Sequence, residues 1–229
     1  MSGGQRRIDF ILAQTTLVSP PLVPETRLHL ATDAQGIFQA VRDCGVDTGW
    51  PPYWAFVWPG GQALARYILD HPALVAGRRV MDIGAGSGVA AIAAAMAGAA
   101  SAVAADPDPL AAAVIEINAR ENGVAIEIVT HDVLGLEPVA DVVLIADLVY
   151  EPELAVRVTR FLESARVRGL AVVMADRTTG QRPPLELSLL GRYRAPLTPM
   201  LEDSHFEDAN VWRLEPAGRL IGSCSRAAR

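Results

Sequence analysis

Residues 80–88 read Val-Met-Asp-Ile-Gly-Ala-Gly-Ser-Gly, a short apolar run that enters a turn with glycine at every second position. A strand, a glycine turn and a helix in that order let a ligand approach both the main chain and the helix N-terminus. The dinucleotide-binding fingerprint needs a further glycine or alanine three positions after the second, for close helix packing, and this chain has Val89 there. Asp82, two residues before the first glycine, repels a pyrophosphate and attracts cationic groups. S-adenosylmethionine carries an ammonium and a sulfonium and no phosphate. Asp82, Gly84, Ala85, Gly86 and Gly88 are therefore candidate contacts for a cofactor of that kind.

Around this turn the apolar pattern alternates. Residues 79–83, 102–106, 126–130, 141–147 and 170–176 are β-like, mostly continuous apolar runs, and helical patterns fall near 88–98, 109–122 and 151–166. That order predicts an α/β fold, a doubly wound, mostly parallel, Rossmann-like seven-stranded sheet with right-handed crossovers. After Pro184 a last helix is expected, then strands near 191–200 and 205–214 as a terminal antiparallel hairpin. Pro20, Pro21 and Pro24 mark residues 1–31 as an irregular or partly extended lead-in, with a short helix starting near Asp33. One domain is expected over 1–229, with 1–50 an N-terminal extension and 78–215 the cofactor-binding core. Alanines make the helix after the glycine turn thin, with Val89, Ile92 and Met96 as its core stripe. Asp108-Pro109 reads as a helix start and Asn122-Gly123 as its stop.

Composition narrows the partners. At 229 residues the chain suits one α/β domain with some extra length, and its formal charge of −6 argues against general nucleic-acid binding. Cys44 and Cys224 are far apart and read as free thiols in a reducing compartment. The first residues lack the apolar core of a signal peptide, and the apolar stretches are too short to span a bilayer, so a soluble cytoplasmic protein with no membrane association is expected. His29, His71, His131 and His205 show no metal-ligand spacing, and no G-x-S-x-G elbow is present.

Ligands of open α/β sheets bind at the carboxyl ends of the strands, and Asp82, Asp106, Asp147 and Asp176 all fall at such ends. Asp106, followed by Pro107, lies about 20 residues past the glycine turn, where an acid accepts ribose hydroxyls; the alternative is a turn or cap residue. Asp132 is either an acceptor for an adenine amino group or an exposed loop acid beside His131. Asp147 and Tyr150 close the fourth strand, either as a pair that holds an acceptor nitrogen or as the entry to the helix beginning near Glu151. Trp54 and Trp58 flank Pro59-Gly60-Gly61 and offer at least one wall for the pocket.

Together these residues resemble a seven-β-strand, S-adenosylmethionine-dependent methyltransferase over about residues 50–215. Three segments carry a closer resemblance: 54–67 (Trp-Ala-Phe-Val-Trp-Pro-Gly-Gly-Gln-Ala-Leu-Ala-Arg-Tyr), the Asp-x-x-Tyr of 147–150, and 19–25 (Ser-Pro-Pro-Leu-Val-Pro-Glu). They are similar to the electron transfer flavoprotein β-subunit lysine methyltransferases of bacterial type. The resemblance implies that Trp58, Gly84, Gly86, Asp106 and Ala146 contact the cofactor, that Asp147 and Tyr150 stand at the acceptor lysine, and that the flavoprotein β subunit is the substrate, methylated up to three times. The core motifs also resemble ribosomal protein L11 methyltransferases, an alternative assignment, as is a non-catalytic S-adenosylmethionine-binding module. Nucleic-acid amine methyltransferases usually carry a proline-containing motif after the fourth strand, which Asp-Leu-Val-Tyr lacks.

Overall fold

The computed structural model describes residues 3–43, 49–178, 182–196 and 206–216. Cys44, Cys224, His205 and the 197–205 part of the expected hairpin lie outside the described residues. The N-terminal elements are α1 (Gly3–Gln14), β1 (Thr16–Val18), β2 (Leu28–Leu30), α2 (Ala34–Asp43) and α3 (Pro59–Asp70). There follow β3 (Arg79–Ile83), α4 (Val89–Met96), β4 (Ser101–Ala105), α5 (Pro109–Glu121), β5 (Glu127–Val129), β6 (Val142–Ala146), α6 (Pro152–Val167), β7 (Ala171–Arg177), β8 (Leu187–Pro196) and β9 (Phe206–Leu214). The main sheet has the order β5-β4-β3-β6-β7-β9-β8. Its first five strands are parallel, and β9 and β8 are antiparallel.

The central strands are apolar on both faces because helices cover both. Along β6, Val142 and Leu144 join the cluster under α3 and α4, while Val143 and Ile145 join the one under α6 with Val158, Phe161 and Leu162. Strand order reverses between β3 and β6, so chain leaving β3 and β6 turns to opposite sides and opens a crevice at their carboxyl ends. Asp108 caps α5 by accepting the Leu110 N–H at 2.8 Å, and Gly123 follows the helix at φ +64°.

Three expectations are corrected. Residues 1–31 hold a helix and a two-stranded hairpin, and the prolines sit only in the connection between β1 and β2. Ile8 and Ile11 of α1 and Ile37 and Val41 of α2 share a cluster with Leu110, Val114 and Ile117 of α5, a burial that short local periodicity does not announce. Among the described residues no helix follows Pro184: β8 begins at Leu187, because pairing with β9 overrides the helical preference of its leucines. Met96 is 38% exposed, so the core stripe of α4 ends at Ile92 with Ala93 and Ala94 beside it. Among the described residues no helix is long and apolar enough to cross a membrane.

Candidate active site

The crevice holds a cavity of about 620 Å³, with Asp82, Asp106, Asp147 and Asp176 on its wall. Each acid stands at the end of a different parallel strand or one residue beyond it. The remainder of the wall includes Tyr53, Trp54 and Trp58 from the aromatic segment before α3.

The three turn glycines have positive φ, at +67° for Gly84, +52° for Gly86 and +82° for Gly88, but they serve different ends. A Cβ on Gly84 would lie 2.6 Å from Leu148 Cδ1, and one on Gly88 would lie 3.1 Å from Ile115 Cγ1 of α5. At Gly86 the nearest atom would be 3.9 Å away, so there the missing side chain leaves room for a ligand. Gly88 packs α4 against α5 and stands off the cavity wall. The other expected cofactor residues, Trp58, Asp82, Gly84, Ala85, Gly86, Asp106, Pro107, Asp132 and Ala146, all line it.

The acids are held by main-chain donors. Asp106 accepts the Gly86 N–H at 2.9 Å and the Asp108 N–H at 3.0 Å, so one carboxylate shapes the turn and also faces the cavity. Burial raises its pKa against those two hydrogen bonds. Asp82 is buried and accepts the Ala91 N–H of the first turn of α4 at 3.1 Å. Its burial, with Asp106 adding repulsion, pushes its pKa up to about 7 despite that bond. Asp132 accepts the Leu134 N–H at 3.0 Å and pairs with Arg157. Burial opposes its ionisation, but Arg157 and the Leu134 N–H outweigh burial and hold it below the usual carboxylate range.

Asp147 is not the cap of α6, whose N-cap is Glu151. It has φ +49°, the one non-glycine residue with positive φ among the described residues, and its N–H donates to Ala175 O at 3.0 Å. That conformation turns the side chain toward α3, where Oδ2 accepts the Gly61 N–H at 2.8 Å, 86 residues away in sequence. Trp58, the N-cap residue of α3, offers no side-chain cap, so Asp147 supplies one from a different strand. A Cβ on Gly60 would lie 2.7 Å from both Asp147 carboxylate oxygens, so only glycine admits this contact. Burial and then the charge of Asp176 push the Asp147 pKa up to about 7, against the Gly61 N–H, Arg177 and a weaker pull from the Gly60 N–H. Oδ1 is buried and makes no hydrogen bond of ordinary geometry.

Tyr150 lies in an irregular segment three residues past Asp147, and both line the cavity. Its ring meets that of Tyr53 edge-on at 5.5 Å, and Tyr53 meets Trp58 edge-on at 5.9 Å. Burial, then the neighbouring Tyr53, pushes the Tyr150 pKa up to about 12, so it is a neutral phenol at pH 7. Trp58 donates from Nε1 to Tyr53 O at 3.0 Å and carries the Arg177 guanidinium 5.5 Å above its ring. Tyr53, Arg157 and Arg177 were not singled out in the sequence. The aromatic density of 50–58 was a signal for Tyr53, whereas the two arginines had none. Among the described residues no group of three or more His, Cys, Asp or Glu is placed to share a metal ion.

The family model for PrmA, ribosomal protein L11 methyltransferase, matches residues 63–176, which run from α3 to the end of the parallel sheet. An electron transfer flavoprotein beta subunit lysine methyltransferase from Xenopus laevis is 36% identical over 217 residues, covering 90% of this chain and 86% of the relative. The chain belongs to that family. A Danio rerio member of this methyltransferase family is 35% identical over 216 residues, covering 90% and 82%. Among solved structures, the magnesium protoporphyrin IX methyltransferase of Synechocystis PCC 6803 with bound S-adenosylmethionine superposes with a TM-score of 0.51 at 15% identity, covering 80% of this chain and 97% of that one. That likeness is one of fold, the Rossmann-like sheet of class I methyltransferases. The Xenopus laevis relative matches 90% of this chain, whereas the PrmA model matches residues 63–176 alone.

Proposed function

We propose that this methyltransferase transfers methyl groups from S-adenosylmethionine to lysine side chains of the β subunit of electron transfer flavoprotein, up to trimethylation, leaving S-adenosylhomocysteine. The observation that carries the reading is the contact of Asp147 with the N-terminus of α3. It joins the Trp-Pro-Gly-Gly and Asp-x-x-Tyr segments at the end of a cofactor-sized cavity.

The wall fits the cofactor. A volume of about 620 Å³ is within the usual range of about 300–1,000 Å³ for small-molecule sites. Gly86 leaves the main chain open, Asp106 on the cavity wall is an acceptor suited to ribose hydroxyls, and the carboxyls of Asp82 and Asp106 suit a pyrophosphate poorly. Two buried polar atoms of residues that line the cavity, Trp54 Nε1 and Asp147 Oδ1, make no hydrogen bond of ordinary geometry. When bound, the cofactor supplies an electrophilic methyl group on a sulfonium. In this reading Asp106 and Pro107 hold the ribose, and Asp132 accepts from the adenine amino group. Asp82 and the turn 84–86 take the amino-acid end, and Trp58 and Ala146 close the wall beside it.

The chain's own groups then have one main task, alignment. The amine nitrogen must sit about 3–3.5 Å from the methyl carbon and in line with the sulfur bond. Asp147, clamped to α3, orients that nitrogen. Tyr150 and Tyr53 give the lysine stem and its methylated ammonium an aromatic wall.

Incubation of the purified protein with labelled methyl donor and either the flavoprotein β subunit or ribosomal protein L11, read by mass spectrometry, tests the reading. Trimethylated lysine in the flavoprotein subunit is expected, and label on L11 alone would overturn the substrate. Asp147→Asn, which keeps an acceptor for the Gly61 N–H, is expected to lower transfer at least about 10²-fold. Its S-adenosylhomocysteine affinity by calorimetry should stay within about twofold. An active variant would refute the role given to Asp147.

A further inference from the structure

We propose that Asp176 is the second carboxylate of the acceptor site, seating the lysine ammonium together with Asp147 and taking the proton that the ammonium must lose before each methyl transfer. The inference rests on the lysine reading above and adds a residue to it.

Sheet register puts the two acids side by side. Ala146 of β6 pairs with Ala175 of β7, and the Asp147 N–H donates to Ala175 O at 3.0 Å, so Asp147 and Asp176 are the next neighbours at the strand ends. Both line the cavity. Their surroundings divide the work. Asp147 is tied to α3 through Oδ2, while its Oδ1 is buried and makes no hydrogen bond of ordinary geometry, so that oxygen keeps unused acceptor capacity. Asp176 is 6% exposed, and among the described residues its Oδ1 accepts the N–H of its neighbour Arg177, at 2.7 Å.

The electrostatics agree with that geometry. Burial, moderated by the Arg177 N–H and guanidinium and reinforced by Glu207, pushes the Asp176 pKa up to about 6. The charge of Asp176 in turn contributes to the rise at Asp147. Among the described residues the groups facing Asp176 are Asp147, one residue past β6, Arg177 of its own strand, and Glu207 and Asn210 from β9, with Glu207 paired to Arg177 at 3.2 Å. Arg177 also lies over Trp58, so its charge acts on Glu207 and the ring as well as on the two aspartates.

The proton account closes. A lysine ammonium gives one N–H proton to the Asp176 carboxylate, leaving a neutral amine and a carboxylic acid. The nitrogen lone pair forms the bond to the methyl carbon as the carbon–sulfur bond breaks, and that pair stays on sulfur. The product is a methylammonium. Asp176 passes its proton to solvent at the cavity mouth and takes the next one from the methylammonium, so three transfers remove three protons in all. Free lysine titrates near 10.4, so a positioned acceptor is most needed near neutral pH and dispensable where solvent itself supplies neutral amine.

The test is the pH profile of kcat/KM from 6 to 10 for wild type, Asp176→Asn and Asp176→Glu on the flavoprotein β subunit, with S-adenosylhomocysteine binding followed in parallel. The wild-type rate is expected to rise through the acidic side and flatten above about pH 8. Asp176→Asn should be about 10²-fold slower at pH 7 and should climb steadily with pH, so that the deficit shrinks towards pH 10. Asp176→Glu should recover part of the neutral-pH rate, and cofactor-product affinity should change less than twofold in both. A deficit of the same size at every pH, as a merely structural role gives, would overturn the assignment. A wild-type profile with no acidic limb would do so too, and needs no variant to fold. Wild-type protein that binds S-adenosylhomocysteine but methylates no lysine refutes the function reading itself, whereas active wild type with parallel profiles refutes the role of Asp176 alone.

Discussion

Gly60 and Gly61 are consecutive buried glycines in the first turn of α3, and the structure gives their replacement by alanine opposite outcomes. A methyl group on Gly60 would stand 2.7 Å from both Asp147 carboxylate oxygens, where ordinary contact begins at 3.4 Å. The carboxylate must therefore retreat by about 0.7 Å, which stretches its 2.8 Å bond to the Gly61 N–H to about 3.5 Å, beyond hydrogen-bond range. Asp147 cannot absorb this by a simple chain shift, because its own N–H is tied to Ala175 O and its φ is already positive. Displacement of an aligning group by this much costs up to about 10²-fold in rate, and a charged hydrogen bond lost to the helix costs about 1.5–3 kcal/mol. Part of that loss is offset by the better helix propensity of alanine, roughly 1 kcal/mol over glycine. A methyl group on Gly61 meets only Val89 Cγ1, at 3.4 Å, and leaves the N–H in place. The expectation is that Gly60→Ala lowers kcat about 10²-fold with S-adenosylhomocysteine affinity within about twofold, while Gly61→Ala keeps kcat within about threefold and raises Tm. Single-turnover methyl transfer, calorimetric titration and thermal unfolding of both variants check this. Equal activity of the two, or the greater loss in Gly61→Ala, refutes the clamp.

The glycine turn separates in the same way. Gly86→Val should cost at least about tenfold in S-adenosylhomocysteine affinity by filling the open space, whereas Gly88→Ala should cost about 1–2 kcal/mol of stability from the left-handed backbone and Ile115, with binding in the folded protein retained. Calorimetry and denaturant titration distinguish them, and the same loss of affinity in both would count against the division. Asp82→Asn keeps the acceptor for the Ala91 N–H but removes a charge that burial disfavours. Since the folded pKa of about 7 lies above the usual 3.8, the protonated acid stabilises the wild type fully below about pH 4, and this contribution is lost as pH rises through 7. The variant should therefore gain Tm relative to wild type between pH 5 and pH 8, with about 4 kcal/mol as the upper bound, and should bind S-adenosylmethionine more weakly. A Tm difference independent of pH would contradict it.

How much of this was legible in the sequence depends on where the forces act. β3 falls on the residues expected because a strand buried on both faces is a continuous apolar run bounded by charge and glycine, a signal carried locally. The start and stop of α5 were equally plain, since Asp108 and Gly123 act on their own helix. Asp147 was placed correctly at its strand end, but its partner was not foreseeable. Locally it precedes a helix and reads as a cap for it, and only the fold brings the uncapped N–H of Gly61 within reach first. The same holds for β8, whose leucines have helical preference until β9 lies beside them, and for α1, whose short apolar face has no visible target until α5 is in place.

The motifs that seemed separate along the chain are bound by volume. Gly60 has no side chain because Asp147 occupies its space, and Gly84 has none because Leu148 occupies that one. Two consecutive residues of the acceptor segment thus rest on two glycines of different elements, one at the head of α3 and one in the cofactor turn. Gly84 was read from sequence as a cofactor contact only, yet any side chain there pushes on the segment that carries Asp147 and Tyr150. The cofactor turn and the acceptor segment are therefore one packed unit. In the proposed reading, the methyl donor and the acceptor amine would be aligned across the Gly84–Leu148 contact. Under the proposed trimethylation, in-line transfer repeated on a lysine that grows by one methyl each time would call for that rigidity on the protein side, because the substrate changes size and the aligning groups must not.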